Sequence, residues 1–198
     1  MMTGYWSFFV LGLSNLAFFH LFEHILFIIA LCGIYNFASW KKVVLFVFLF
    51  TTAYQVSFLL STFNYISFPE NYVKFLMPLT ILSVAISNLF LKKQAFTNKY
   101  PSQNYRFFLA VVAGLIHGFA FPESLQNYLF SPGDQVMQLV CFDFGIITGI
   151  GITVFVLLFI CFVLTYFLRV NIREWNLLLS GACAGIAVYI MAHYLLIP

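Results

Sequence analysis

The sequence predicts an all-α membrane protein, a polytopic bundle of six transmembrane helices with both termini outside. Three observations predict it. Hydrophobic residues make up 63% and charged residues only 8% of the 198 residues, whereas roughly a quarter of the residues in a soluble domain are charged. The apolar residues form runs long enough to cross a bilayer, which takes about 20 residues. The nine Lys and Arg residues stand in small groups between these runs.

A chain of this length and composition leaves no room for a separate soluble domain, so residues 1–198 are expected to form a single transmembrane domain. The lipid bilayer is its expected partner, and the expected location is the inner membrane, with several passes. Nucleic acid is not an expected partner, because the basic residues do not gather into one basic face. The four cysteines lack Cys-x-x-Cys spacing and are expected to be free thiols that pack like small apolar residues.

The predicted spans follow one another with short polar connections. Span one covers residues 5–34, span two 43–63 and span three 72–91. The segment 92–106 is the most polar in the chain and is predicted to be the longest loop, with Arg106 at its end. Span four covers 107–121 and ends before Pro122.

Span five, residues 136–168, is longer than an upright helix needs. It is predicted to be one long tilted helix, with a helix loosened at its glycines as the alternative. Span six covers 172–196, and its small residues predict a face for close helix packing. The glycines of span five are Gly145, Gly149 and Gly151, and the small residues of span six are Gly181, Ala182, Ala184 and Gly185.

The distribution of basic residues predicts the orientation of the bundle. With six spans, only Lys74 falls on the side opposite the other Lys and Arg residues. Because loops rich in Lys and Arg remain in the cytoplasm, that basic side is predicted to be cytoplasmic. Both termini then face outward.

Three ionisable residues interrupt the first apolar run: His20, Glu23 and His24. In a helix the two histidines, four residues apart, would share a face with the glutamate beside them. Ionisable groups are costly inside a membrane and by default mark a functional site that faces the bundle interior. These residues therefore predict a polar pocket.

Other spans carry polar residues to a similar depth. At a rise of about 1.5 Å per residue, His117 lies ~16 Å above Arg106, and Asp143 lies ~13 Å below the outer side. Tyr54 and Gln55 reach this level from span two. The predicted metal ligands are His20, Glu23, His24, His117 and Asp143, with Tyr54 and Gln55 as outer partners that orient them.

Imidazoles combined with carboxylates suit a divalent transition metal such as nickel, cobalt, zinc or iron(II) better than magnesium or calcium. Two alternatives stay open. The carboxylates could simply satisfy buried histidines in a structural role. The order His20-x-x-Glu23-His24 also matches the His-x-x-Glu-His arrangement of inverted zinc peptidases, in which the glutamate activates water.

Several segments resemble the HupE/UreJ family of hydrogenase and urease accessory membrane proteins. The resemblance covers most of the chain and is most specific at residues 114–121, Gly-Leu-Ile-His-Gly-Phe-Ala-Phe, which are similar to the family's Gly-Leu-Ile-His-Gly-Phe-Gly-Phe. The other similar segments are 23–27 (Asp-His-Leu-Leu-Phe in the family), 50–54 (Phe-Thr-x-Ala-His), 79–88 and 142–145 (Phe-Asn-x-Gly). The resemblance implies a helical membrane fold and an association with nickel or cobalt uptake.

The chain departs from the family at polar positions. Ala17 and Tyr54 stand where the family has histidines, and Ser87 and Ile147 stand where it has acids. His20 and Asp143 are candidates to compensate for these changes. Such departures would suit a member that has changed its metal, or one that has become a subunit of a larger complex.

The functional prediction is therefore a HupE/UreJ-like protein that binds a divalent metal between spans one, four and five and moves it inward, without enzyme activity, catalytic residues or a resident cofactor. A non-transporting scaffold subunit of an envelope complex is the first alternative, and an intramembrane metal hydrolase is the second. A membrane-protein partner or a homo-oligomer is compatible with the aromatic-rich composition.

Overall fold

The architecture is helical throughout the residues described in the computed structural model, which are 4–17, 22–91, 104–120 and 135–196. No strand occurs within these ranges, and the all-α prediction is confirmed. The described helices are α1 (Tyr5–Ala17), α2 (Phe22–Cys32), α3 (Trp40–Thr62), α4 (Glu70–Leu89), α5 (Asn104–Gly118), α6 (Gln135–Tyr166) and α7 (Ile172–Leu196), with a 3₁₀ turn at Phe37–Ser39.

Four helices, α3, α4, α6 and α7, are long and apolar enough to cross a membrane. Helices α1, α2 and α5 are apolar but shorter, with 13, 11 and 15 residues. The predicted first span corresponds to α1 and α2, and residues 18–21 between them lie outside the description. The exterior also carries many exposed aromatic side chains, such as Phe48 and Phe155, as expected where the solvent is lipid. The chain is a membrane protein by these features.

Helix α6 runs through 32 residues without interruption, so the long-helix prediction is confirmed and loosening at its glycines is wrong. Gly145 instead allows α1 to approach closely: a Cβ atom there would collide with the Phe9 carbonyl oxygen and lie 2.8 Å from the Leu13 nitrogen. A Cβ atom on Gly12 would collide with the Phe142 carbonyl oxygen. Small residues at such a crossing let two backbones touch.

A second close crossing joins α3 and α5. A Cβ atom on Gly114 would collide with the Phe50 carbonyl oxygen, and one on Gly118 would collide with Ser57 Oγ and the Tyr54 carbonyl oxygen. The two glycines are four residues apart and therefore lie on one face of α5. Gly114 contacts α3 at Phe50, and Gly118, further along α5, contacts it further along at Tyr54 and Ser57. Because residue numbers increase in the same direction on both helices, α3 and α5 run parallel.

Of the small residues predicted to pack closely in span six, Ala184 packs against the core, but the two glycines do not pack against described residues. Added Cβ atoms on Gly181 and Gly185 would meet nothing within 4 Å among the described atoms. Helix α7 instead buries Asn176 and Ser180, because the Asn176 side-chain amide donates to the Asn88 carbonyl oxygen at 3.0 Å. Gly181 and Gly185 are exposed, on a different face of α7 from Asn176 and Ser180.

The prediction that Arg106 belongs to a loop is also wrong. Helix α5 begins at Asn104, and the Arg106 side chain is 1% exposed. Its guanidinium donates to Asn88 Oδ1 at 2.6 Å and to the Leu31 carbonyl oxygen at 2.7 Å. The positive charge of Arg106 led to its prediction as a loop residue. In the structure, Asn88 and Leu31 accept hydrogen bonds from the guanidinium inside the bundle.

Candidate functional site

The centre of the bundle brings together two histidines, His24 of α2 and His117 of α5, here called the histidine pair. Their ring centroids are 4.7 Å apart, and the rings meet edge to face at 79°. Their side chains are 0% and 1% exposed. Two of the five predicted ligands therefore lie in direct contact.

Three ring nitrogens of the histidine pair make no hydrogen bond of normal geometry in the described part of the chain, although the His24 side chain lies near the His117 backbone. They are His24 Nδ1, His24 Nε2 and His117 Nδ1. Buried polar atoms are normally hydrogen-bonded, and leaving one unsatisfied costs about 1–3 kcal/mol. A purely structural histidine would be expected to have such a partner. The unpaired nitrogens make the histidine pair the candidate ligand site of the described residues.

Thr80 of α4 holds the fourth nitrogen. Its hydroxyl donates to the Met77 carbonyl oxygen at 2.7 Å, and its oxygen lies 3.1 Å from His117 Nε2. Because the hydroxyl hydrogen is used in the shorter bond, the oxygen accepts from Nε2–H. In that neutral tautomer the lone pair is on Nδ1, the unpaired nitrogen.

Aromatic side chains enclose the histidine pair. Phe27 and Phe50 stack on one another with centroids 5.0 Å apart, and the His117 ring lies 5.3 Å and 5.6 Å from them. The Tyr54 ring meets His24 edge to face at 5.3 Å. Such walls exclude water and strengthen any electrostatic interaction with a bound cation.

Tyr54 also links the histidine pair to Asp143 of α6. Its hydroxyl is close enough to the Asp143 carboxyl for an electrostatic interaction, and the Gln55 side chain lies beside the same carboxyl. Asp143 Oδ1, Tyr54 Oη and Gln55 Nε2 nevertheless make no close hydrogen bond with described residues. The three form an oxygen-rich group adjoining the pair, here called the Asp143 group.

The remaining predicted ligands do not join this arrangement. Glu23 Oε2 is buried and unpaired in the described residues, and no described contact connects Glu23 to the histidine pair. His20 lies outside the described residues. Among those described, no three His, Cys, Asp or Glu side chains come close enough to hold a metal ion together.

The chemistry available is therefore that of two buried imidazoles enclosed by aromatic side chains, with the Asp143 carboxyl near Tyr54. Imidazole nitrogen suits nickel, cobalt, zinc and copper. Two protein nitrogens leave further coordination positions open, which suits an ion that must be released again. The unpaired nitrogens fit such a cation as cargo.

Thr80 and Phe27 are site residues that the sequence interpretation missed as participants. Thr80 lies in the segment Leu79-Thr80-Ile81, and the resemblance of this segment to the family was the available signal. A hydroxyl group buried in an apolar span also needs a hydrogen-bond partner. Phe27 lies three residues after His24, on the same face of a helix. The aromatic neighbour could have been found from that spacing.

Comparison with known proteins bears on this arrangement. No curated protein and no solved structure matches the chain. The family profile described as HupE / UreJ protein matches residues 1–197. Since that match covers the helices and both members of the histidine pair, the chain belongs to the HupE/UreJ family.

Proposed function

We propose that this protein binds a divalent transition-metal cation of the nickel or cobalt type at the histidine pair and carries it through the inner membrane. The observation that carries the proposal is the contact between two buried imidazoles with three unpaired nitrogens. The association of the HupE/UreJ family with nickel and cobalt supports the choice of metal. The proposal includes no catalytic step.

His24 and His117 are the proposed ligands, with His117 binding through Nδ1. Thr80 holds the opposite nitrogen of His117, as outer partners of metal-binding histidines commonly do. The Asp143 group is the proposed approach to the pair, because its carboxylate can attract a cation and Tyr54 links it to His24. His20 and Glu23 stay predicted ligands for a loaded state.

The proposed topology is six spans with both termini outside, and helix contacts support it. Hydrogen bonds join four residues that lie at predicted cytoplasmic ends of spans: Leu31, Asn88, Arg106 and Asn176. The ring centroids of Phe58 and Phe142, both in the predicted outer halves of their spans, lie 6.3 Å apart. A bundle whose helices alternated differently would not bring these ends together.

Metal binding by purified protein tests the proposal. We expect the wild-type protein in detergent to bind about one Ni²⁺ or Co²⁺ by titration calorimetry and elemental analysis, and His24→Ala and His117→Ala each to lower the affinity at least tenfold. His193→Ala is the matched control, because His193 is exposed and its ring contacts in the described part are with Tyr189 and Tyr194. Unchanged binding in both pair variants would reject the site.

Flux is tested separately in proteoliposomes that contain a metal-sensitive dye. Uptake in the wild type and its loss in His117→Ala support transport. A protein that binds no metal at all would instead favour the scaffold alternative, for which the open Gly181 and Gly185 face of α7 offers a contact surface. A hydrolase would show substrate cleavage that Glu23→Gln abolishes while metal is retained.

A further inference from the structure

Arg106 is the most deeply buried cationic side chain in the described part of the chain, at 1% exposure. Its two terminal nitrogens donate to Asn88 Oδ1 and to the Leu31 carbonyl oxygen, and its guanidinium lies 5.7 Å from the centre of the Tyr35 ring. Both acceptors are neutral oxygens. A buried arginine without a carboxylate at its hydrogen-bonding atoms needs another source of negative potential.

The C-terminal end of α2 supplies that potential. The last carbonyl groups of a helix have no partner within the helix and carry a partial negative charge. Arg106 binds the Leu31 carbonyl oxygen, and the Asn88 side-chain amide donates to the Ala30 carbonyl oxygen at 2.7 Å. Two orphan carbonyls of α2 are thus capped from α5 and α4.

The same face of α5 carries both the cap and the metal ligand. Arg106, Ala110, Ala113 and His117 are all buried, and their spacing of three or four residues places them along one side of the helix. Arg106 meets α2 near its C-terminal end, and His117 meets it at His24 near its N-terminal end. The two contacts are separated by roughly 16 Å along α5.

Helix α2 has 11 residues, of which seven are buried. Because apolar contacts are non-directional, they define its register less sharply than directed hydrogen bonds do. A shift of one residue would rotate His24 by about 100° and move it by about 1.5 Å along the axis. A fork of two directed bonds at the far end opposes both motions. A lysine has a point charge and lacks that planar fork.

We propose that Arg106 is a positioning residue: by capping the C-terminal end of α2 together with Asn88, it fixes the register in which His24 meets His117. The functional consequence rests on the proposed metal binding at the pair. The register itself does not, and it can be measured without metal.

The test is side-chain NMR of the metal-free protein in detergent, with ¹³C-labelled histidine and an assignment from His24→Gln and His117→Gln. We expect a nuclear Overhauser contact between the rings in the wild type and in Arg173→Gln, the matched control, whose arginine is exposed. The contact should disappear in Arg106→Gln. Its retention at full intensity there would overturn the inference.

If Arg106→Gln does not fold, Arg106→Lys tests whether Arg106 fixes the register of α2. The lysine keeps the positive charge that stabilises the end of α2 but cannot bond to Asn88 and Leu31 in the same geometry. We expect at least a threefold loss of the inter-ring contact. A lysine variant with wild-type intensity would show that charge alone suffices and that Arg106 does not set the register.

A Ni²⁺ titration of the same variants separates this inference from the proposed function. If the wild type binds no Ni²⁺ but Arg106→Gln loses the ring contact, metal binding fails and the positioning role stands. If His24→Ala weakens Ni²⁺ binding while Arg106→Gln leaves both the affinity and the ring contact unchanged, metal binding stands and the positioning role fails. We expect Arg106→Gln to weaken Ni²⁺ binding at least tenfold.

Discussion

In the proposed metal site, Thr80 favours the His117 tautomer that leaves Nδ1 available to a cation. With its hydroxyl hydrogen committed to the Met77 carbonyl oxygen, it accepts from Nε2–H and leaves the lone pair on Nδ1. Outer partners of this kind commonly change metal affinity by about 10–100-fold. In the proposed site the Thr80 hydroxyl therefore positions His117 without touching the ion.

Thr80→Val keeps the branched shape and removes the hydroxyl. We expect Ni²⁺ affinity to fall at least tenfold, because His117 can then adopt either tautomer and rotate. Ser83→Ala is the control, since Ser83 lies one turn later on α4, is exposed and bonds only to the Leu79 carbonyl oxygen within the described part. Calorimetric titration of both variants checks this, and equal affinities would contradict a role for Thr80.

Tyr54 occupies the position at which the resemblance to the family placed a histidine. Its ring centroid is 5.3 Å from that of His24, so an imidazole there would adjoin the pair. We expect Tyr54→His to tighten Ni²⁺ binding about tenfold, which corresponds to about 1.4 kcal/mol. Tyr54→Phe should leave the Ni²⁺ affinity near that of the wild type. If Tyr54→Phe also bound Ni²⁺ more tightly, loss of the hydroxyl and not gain of an imidazole would be the cause.

The sequence predicted which residue types occupy the centre of the bundle but not how they are grouped. His24 and His117 meet as predicted. The link of Asp143 to Tyr54 and Gln55, and the separation of Glu23 from the pair, follow from helix rotation, which apolar periodicity leaves undetermined when a helix is hydrophobic on all sides. Arg106 was misplaced because a charge next to a polar segment resembles a loop residue.

At the scale of helices, glycine pairs set the distances on which the site depends. Gly114 and Gly118 bring α5 against the backbone of α3 at Phe50 and Tyr54. His117 lies between these glycines in sequence, so the contact that seats α5 also presents its imidazole to α2. The segment that most resembles the family is therefore a packing element as well as a ligand carrier.

Gly118→Ala tests this packing. Its Cβ would collide with Ser57 Oγ and the Tyr54 carbonyl oxygen, and overpacking of this kind costs about 1–3 kcal/mol. We expect a lower thermal unfolding temperature in detergent together with weaker Ni²⁺ binding.

Gly181→Ala is the matched control on α7, since its Cβ would meet nothing within 4 Å among the described atoms. Alanine favours a helix over glycine by up to about 1 kcal/mol, so its unfolding temperature should stay equal or rise. A decrease in Gly181→Ala as large as that in Gly118→Ala would show that the difference in packing is not the cause.

At the scale of the whole molecule, the polar residues are divided between two levels. The histidine pair and the Asp143 group lie in the interior of the bundle, and Arg106, Asn88, Asn176 and Ser180 form a hydrogen-bonded layer at the ends of α2, α4, α5 and α7. In the proposed topology that layer is cytoplasmic. A cation released from the pair toward the cytoplasm would then approach the buried guanidinium.

The orientation predicted from basic residues does not depend on Arg106 and stays a prediction. The proposed inner side still has seven other basic residues, in its predicted loops or in the first turns of α3 and α7, and charges this close to the ends of spans hold a segment in the cytoplasm. These residues are Lys41, Lys42, Lys92, Lys93, Lys99, Arg169 and Arg173. Fusions at residue 198 test this prediction. We expect a C-terminal alkaline phosphatase to be active and a C-terminal green fluorescent protein to be dark, because the terminus faces outward.

Fusions after residue 95 should behave in the opposite way, since that site lies in the predicted inner loop. Arg173→Glu combined with Arg169→Glu weakens the charge bias near the terminus, and part of the C-terminal signal should then change to fluorescence. Arg106→Gln should not change either signal, because a buried hydrogen-bonded arginine is not a loop charge. Fluorescence of the wild-type C-terminal fusion would show that the C-terminus is cytoplasmic. The proposed orientation of the bundle would then be wrong, and the histidine pair would face the opposite sides of the membrane.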